Sequence, residues 1–304
     1  MLRFAKYHGV GNDFILVDAL RSQAAISPTQ AIQLCDRHFG IGADGVILAQ
    51  PSKIADCRMQ LYNSDGSEAE MCGNGLRCLV RFVWDEGLIR KTELTVETPA
   101  GLKRARLAVQ GLRVIEISVE MGSPLLLASD VPTTLVAPTA SAVEAPLVVD
   151  DTLWHVTALN TGVPHCVIFV ADTEAISWRT IGPRIVAHPA FPQKTNVMFT
   201  QVVAQDHLFV RPWERGAGPT CACGTGACAA AVAAVLTGRT ERDVQVTLPG
   251  GTLRIQWDAG NNEITMTGPA ERVFVGEPTE RLLKALDRSF QPTYNASLNE
   301  QQSR

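Results

Sequence analysis

The sequence predicts an α/β (α+β) protein of two pseudo-symmetric domains, each a β-sheet or barrel wrapped around one central helix. Three observations predict it. A Cys-Gly-x-Gly element occurs twice, at Cys72–Gly75 and Cys223–Gly226, about half a chain apart (223 − 72 = 151). Each element leads into a helical run that closes on a glycine, and short β-branched strands lie on either side. The second helical run, Ala227–Leu236, is apolar on every face, and such a helix has to be buried all round.

Two weaker echoes support the duplication. Gly9-Val10-Gly11-Asn12-Asp13-Phe14 precedes an apolar run, as does Gly162-Val163-Pro164-His165-Cys166. Asp44 leads into Val46-Ile47-Leu48, and Asn196 leads into Val197-Met198-Phe199. All three pairs keep the same order and nearly the same offset, the pattern of two structurally similar halves. Strands are expected at Phe14–Val17, Val46–Leu48, Leu94–Glu97, Val114–Val119, Val167–Val170, Val197–Phe199, Leu208–Val210, Val244–Leu248 and Leu253–Trp257. Helices are expected at Leu76–Glu86, closed by Gly87, and at Ala227–Leu236, closed by Gly238. Residues 1–120 then form the first domain and 121–264 the second, with a final strand, 265–276, returning to the first. Gly122–Asp150, rich in Pro, Ala and Ser, reads as the link, and 277–304 as an amphipathic helix, Thr279–Phe290, with a polar tail.

Composition narrows the function. The 304 residues are 46% hydrophobic and 19% charged, enough apolar mass for two cores. A net charge of −4 offers no basic face, so nucleic acid is not an expected partner. Arg3, Lys6, His8 and Asp13 interrupt any leader-like run, and the longest apolar stretch is too short to span a bilayer. A cytoplasmic protein with no membrane association is expected, its eight cysteines mostly free thiols.

The Cys-Gly-x-Gly elements carry the chemistry. Glycines at a helix start leave backbone N–H groups open, and those groups have no intrahelical partners. They make an anion site suited to a carboxylate. The same dipole is expected to lower the pKa of a thiol placed there. Two such elements on opposing domains supply two thiols and a shared carboxylate cradle. Inversion of an amino-acid α-carbon needs a base on one face and an acid on the other, and Cys72 and Cys223 are suited to those roles.

The blocks HGVGNDF (8–14), RHFGIGADG (37–45), YNSDGSEAEMCGNGLR (62–77), GVPHCV (162–167), TNVMF (195–199), ERGAGPTCACGTGACAA (214–230), LPGG (248–251) and MTGPA (266–270) resemble diaminopimelate epimerase in order and nearly throughout the chain. The resemblance implies epimerisation of LL- to meso-diaminopimelate, a step in lysine and peptidoglycan-precursor synthesis, without pyridoxal phosphate, metal or other cofactor. It implies Cys72 and Cys223 as the catalytic pair and a small-molecule amino-acid substrate. Gly73, Asn74, Gly224 and Thr225 match the carboxylate cradle. Asn12, Asn63, Asn196, Glu214 and Arg215 match substrate contacts, while His165 and Glu214 match residues flanking the thiols. A homodimer is also implied.

Two positions depart from the pattern. Gly45 stands where many members have Gln, and Val163 stands where many have a substrate-contacting Asn. A racemase of another amino acid, such as histidine or proline, is therefore the nearest rival. Gly224–Ala229 also fits a dinucleotide fingerprint, leaving a nicotinamide-dependent oxidoreductase as a weaker alternative, since no strand immediately precedes it. Cys221, Cys223 and Cys228 lack the second ligand pair of a zinc site, so no metal is expected.

Overall fold

A computed structural model describes residues 3–22, 24–111 and 113–287. The first half contains β1 (Phe4–Gly9), β2 (Asn12–Asp18), α1 (Ala19–Ser22), α2 (Pro28–Cys35), β3 (Gly45–Gln50), β4 (Cys57–Asn63), α3 (Gly73–Asp85), β5 (Glu93–Thr98), β6 (Gly101–Gln110) and β7 (Arg113–Gly122). The second contains β8 (Ala142–Val149), β9 (Thr152–Asn160), β10 (Pro164–Phe169), α4 (Trp178–Val186), β11 (Asn196–Ala204), β12 (His207–Glu214), β13 (Gly218–Pro219), α5 (Gly224–Leu236), β14 (Asp243–Leu248), β15 (Gly251–Trp257) and β16 (Ile264–Gly268). The chain continues through β17 (Glu271–Gly276) and α6 (Glu280–Asp287).

Pairing follows one scheme twice. The first run is β17–β1–β2–β3–β4–β5–β6–β7. The second is β8–β9–β10–β11–β12–β14–β15–β16. In each run the third and fourth strands are parallel, as are the fifth and sixth, and the rest are antiparallel. Parallel neighbours need a crossover, and a helix supplies it each time. These are α2 and α3 in the first run, α4 and α5 in the second. Thus α3 and α5 occupy equivalent places. The runs join where β7 pairs with β16, Met266 opposite Val119.

The α/β fold with few helices and an enveloping sheet is the one the sequence predicts. Most of α3 and α5 is buried, and both helices contribute to one large apolar core. Each ends on the expected glycine. Gly87 and Gly238 follow the C-cap residues at φ 63° and 67°, a left-handed conformation that other residues adopt only with strain.

Two segments differ from expectation. Gly122–Asp150 is more than a link, because it contains β8. Buried and exposed positions alternate along most of that strand, but Pro146 and the alanines obscure the pattern in sequence. Residues 265–276 belong to two strands rather than one. Most of β16 pairs with β15 and β7, and β17 alone lies against β1. Pro269, which has no N–H to give a ladder, separates them. The expected C-terminal helix is described over Glu280–Asp287; positions 288–304 lie outside the described residues.

Candidate active site

Cys72 and Cys223 are the N-cap residues of α3 and α5. Both have extended backbones, at φ −143° and −125°. Each sulfur accepts the N–H of the residue three positions on, Gly75 and Gly226, at 3.3 Å in both cases. A thiol thus stands where serine or aspartate commonly caps a helix, and the geometry repeats in the two halves. The two helix starts meet over Met266. A β-carbon on Gly73 would lie 2.4 Å from Met266 Cε, and one on Gly224 would lie 3.1 Å from Met266 Sδ. Gly73, Asn74, Gly224 and Thr225 are therefore brought to one place.

On the first-half side, Asn12 Oδ1 accepts Asn74 Nδ2 at 3.2 Å and lies 3.7 Å from Cys72 Sγ. Asn12 Nδ2 donates to Asp44 Oδ2 at 2.8 Å. Asp44 is held by Arg37 at 2.9 Å, and Arg37 also bonds Asp13 at 2.7 Å. Lys6, almost completely buried, reaches Asp13 at 2.5 Å. Burial alone would raise the Asp13 pKa, but the Arg37 and Lys6 bonds outweigh it and hold the carboxyl at about 2. Asn12 therefore hangs from an ionic network whose members lie far apart in the chain. Its signal was present in the RHFGIGADG block. Asn63, at the end of β4, is exposed and donates to Ser67 Oγ at 3.0 Å, an arrangement local to its turn.

On the second-half side, Glu214 accepts Thr220 Oγ1 at 2.6 Å and also hydrogen-bonds the Cys223 side chain. Thr225 Oγ1 lies 3.5 Å from Cys223 Sγ. Asn196 is buried, and its Oδ1 accepts the Arg215 backbone N–H at 2.9 Å. The Arg215 guanidinium donates to Gln193 O at 3.0 Å. His165 is fully buried on β10 beside Asn196 of β11. Neither of its ring nitrogens has a hydrogen-bond partner among the described residues. Burial, helped by the Arg215 charge, lowers its pKa to about 3, so the ring is neutral. The loop bearing Val163 docks on the start of α5 through Thr161 Oγ1, which donates to Thr225 O at 2.8 Å.

The thiols depart from one expectation. Helix N-termini favour thiolate, yet both cysteines are shifted upward. Burial is the largest cause for each. At Cys72 the N–H groups of Gly75 and Asn74 and the Arg77 charge oppose it without prevailing. At Cys223 the nearby Glu214 carboxylate pushes in the same direction as burial. Desolvation therefore outweighs the few N–H groups at a helix start. Glu214 is itself raised, again chiefly by burial. The arrangement holds two thiols, both shifted toward the protonated form, at the heads of two helices whose starts meet, and a helix start is a place suited to a carboxylate.

The architecture has solved counterparts. A probable proline racemase from Agrobacterium radiobacter K84 superposes with a TM-score of 0.68 at 15% identity, covering 92% of this chain and 93% of its own. A hydroxyproline epimerase from Agrobacterium vitis superposes at 0.64 and 15% identity, covering 90% of each. At such identity these establish the shared fold. Sequence relatives are much nearer. Diaminopimelate epimerase 1 of Nostoc sp. (strain PCC 7120) is 53% identical over 91% of this chain and 99% of the relative. Diaminopimelate epimerase of Heliobacterium modesticaldum is 49% identical over 91% and 99%. Relatives this similar, on this fold, define an isomerase of the epimerase class. The diaminopimelate epimerase family profile matches residues 4–127 and 157–273, and the chain belongs to that family.

Proposed function

We propose that this enzyme interconverts LL- and meso-2,6-diaminopimelate by two-cysteine acid–base catalysis, without pyridoxal phosphate or metal, in lysine and peptidoglycan-precursor synthesis. The observation that carries the reading is the repeated cap. Cys72 and Cys223 hold the same position on equivalent helices whose starts meet over Met266. One cysteine, as thiolate, takes the α-proton, and the electron pair is left on the α-carbon beside the carboxylate. The other, as thiol, returns a proton to the opposite face. The helix N–H groups stabilise the negative charge spreading into the carboxylate. Asn12, Asn63, Asn196, Glu214 and Arg215 are proposed to engage the substrate, several at its distal end, with His165 supporting the thiols.

The test is proton NMR of the reduced protein with LL-diaminopimelate in D₂O and no added cofactor. Loss of the α-proton signal with appearance of the meso isomer is the expected result. No exchange from folded, reduced protein would refute the substrate assignment. Val163 favours a second reading, a racemase of another amino acid, because it sets an apolar side chain in the loop docked on α5. Exchange on histidine or proline but not on diaminopimelate would select it.

We further propose a cytoplasmic homodimer. A reducing compartment suits eight cysteines that are all free. The edge strand β17 pairs with β1 and exposes Val273, Phe274 and Val275, an apolar row that a second copy would cover. Sedimentation of the wild type against Phe274→Glu checks the assembly.

A further inference from the structure

Arg77 is the one charged residue in the first two turns of α3, and its side chain is fully buried. Its guanidinium donates to Asn74 Oδ1 at 2.9 Å, to Pro269 O at 3.2 Å and to Met266 Sδ at 3.4 Å. Every one of these acceptors is uncharged. Among the described residues no carboxylate lies within ion-pair distance of it, and the titratable groups that act on it are the thiols of Cys78, Cys72 and Cys228. The surrounding backbone leaves space for the group. A β-carbon on Gly9 would lie 3.0 Å from Arg77 Nη2, and one on Gly268 would lie 3.6 Å from its Nε.

A buried guanidinium with only neutral partners is costly to a fold, so its charge calls for an anion that the resting chain does not supply. The Asn74 amide that accepts from Arg77 donates to Asn12 Oδ1, which lies beside Cys72 Sγ. Arg77 thus sits behind the α3 start and fixes the orientation of the amide at its front. The duplication makes the placement one-sided. The position equivalent to Arg77 in the second half is Cys228, and α5 carries no charged residue.

We propose that Arg77 is a buried positioning residue for the epimerisation. It orients Asn74 and supplies the positive charge that balances the anion formed at the α3 start, the Cys72 thiolate together with the carboxylate seated there. This rests on the proposed function and deepens it. The charged groups acting most strongly on Cys72 are Arg77 from α3, which favours its thiolate, and Glu214 from β12, which opposes it. From β2, Asp13 acts on Cys78. Cys78 and Cys228 also feel Arg77, but burial pushes both thiols upward, Cys228 to about 12, so they stay protonated. Cys72 alone among the three keeps partial access to solvent.

The test compares wild type with Arg77→Lys, Arg77→Gln and Arg77→Met by two readouts. One is the pH dependence of Cys72 alkylation by iodoacetamide, resolved by peptide mass spectrometry without substrate. The other is α-proton exchange on diaminopimelate. Gln and Met are expected to move the Cys72 alkylation midpoint to higher pH and lower kcat by about 10², the scale of losing one anion-stabilising donor. Lys keeps the charge without the planar fork, so its midpoint stays with the wild type while kcat falls. Folded Gln or Met variants with a wild-type midpoint and kcat would overturn the proposal. If neither folds, a raised midpoint in Arg77→Lys overturns it instead. The alkylation arm needs no substrate. A wild type that exchanges no diaminopimelate proton would therefore refute the proposed reaction without deciding the role of Arg77.

Discussion

Gly224 on α5 faces Asn74 on α3 so closely that a β-carbon on the glycine would lie 3.2 Å from Asn74 Oδ1. Asn74 cannot easily retreat, because it donates to Asn12 and accepts from Arg77. Two helix starts are thus pressed together with room for backbone N–H groups and little else. The glycines at the two starts let the Asn74 and Met266 side chains pack directly against the helix backbone.

Substitution of Gly224 by Ala is accordingly expected to displace one helix start against the other. A shift of a fraction of an ångström at reacting groups is enough to lower kcat/KM by roughly 10- to 100-fold. Proton exchange on diaminopimelate measures it, with Gly216→Ala as control. A β-carbon at Gly216 would meet nothing within 4 Å, so its activity stays at the wild-type level.

Cys72→Ala and Cys223→Ala are each expected to abolish epimerisation, a loss of about 10³ or more, since each removes one half of the acid–base pair. Circular dichroism should remain native in both, because alanine fills less space than cysteine and only a weak sulfur cap is lost. Full turnover by either variant would end the two-thiol mechanism.

The raised thiols set the pH dependence. A base with an upward-shifted pKa ionises later, so kcat/KM should still be climbing with pH at the ordinary thiol value of 9.0 and fall only once the opposing thiol loses its proton. Burial raises both cysteines, and Glu214 raises Cys223 further. Replacing Glu214 by Gln removes that second push and should move a limb of the profile to lower pH. A profile flat from pH 6 upward would contradict this reading.

His165 sets the acid limit of stability. In the fold it stays neutral down to about pH 3, while the unfolded chain takes up that proton near the ordinary value of 6.5. Between those values the unfolded state binds more protons. The stabilisation is therefore complete above 6.5 and is lost as pH falls toward 3. At about 1.4 kcal/mol per pKa unit, the loss is on the order of a few kcal/mol. Urea midpoints from pH 7 to 4 should fall less steeply for His165→Gln than for the wild type.

The sequence disclosed what is local. The paired Cys-Gly-x-Gly elements, the closing glycines and the all-apolar α5 are contiguous patterns, and each corresponds to an observed helix start, end or core segment. Each strand expected from a β-branched run lies in an observed strand or overruns its end by one residue, whereas the returning strand expected over 265–276 is divided between β16 and β17. What escaped depends on distant partners. Lys6 and Arg77 look like ordinary surface cations in sequence, and only tertiary packing buries them. The upward direction of the thiol shifts is hidden from the sequence for the same reason. A helix start can be read from spacing, but the surrounding desolvation is made by residues from both halves. Asn196 illustrates a further limit, since its side chain secures the Arg215 backbone, a pairing that no short motif encodes.

The pairing of β17 with β1 bears on how the chain comes to be folded. Phe4 lies opposite Gly276, so β1 waits for a partner strand that is synthesised much later. The amino-terminal half has its own helix and most of its ladder early in synthesis, but its outer edge stays open until the carboxy-terminal half has been made. Such non-local closure slows folding and leaves β1 available to wrong partners in the interval. A truncation before Glu271 is therefore expected to yield a nascent chain that collapses without locking, although both cysteines and both capping helices are already present.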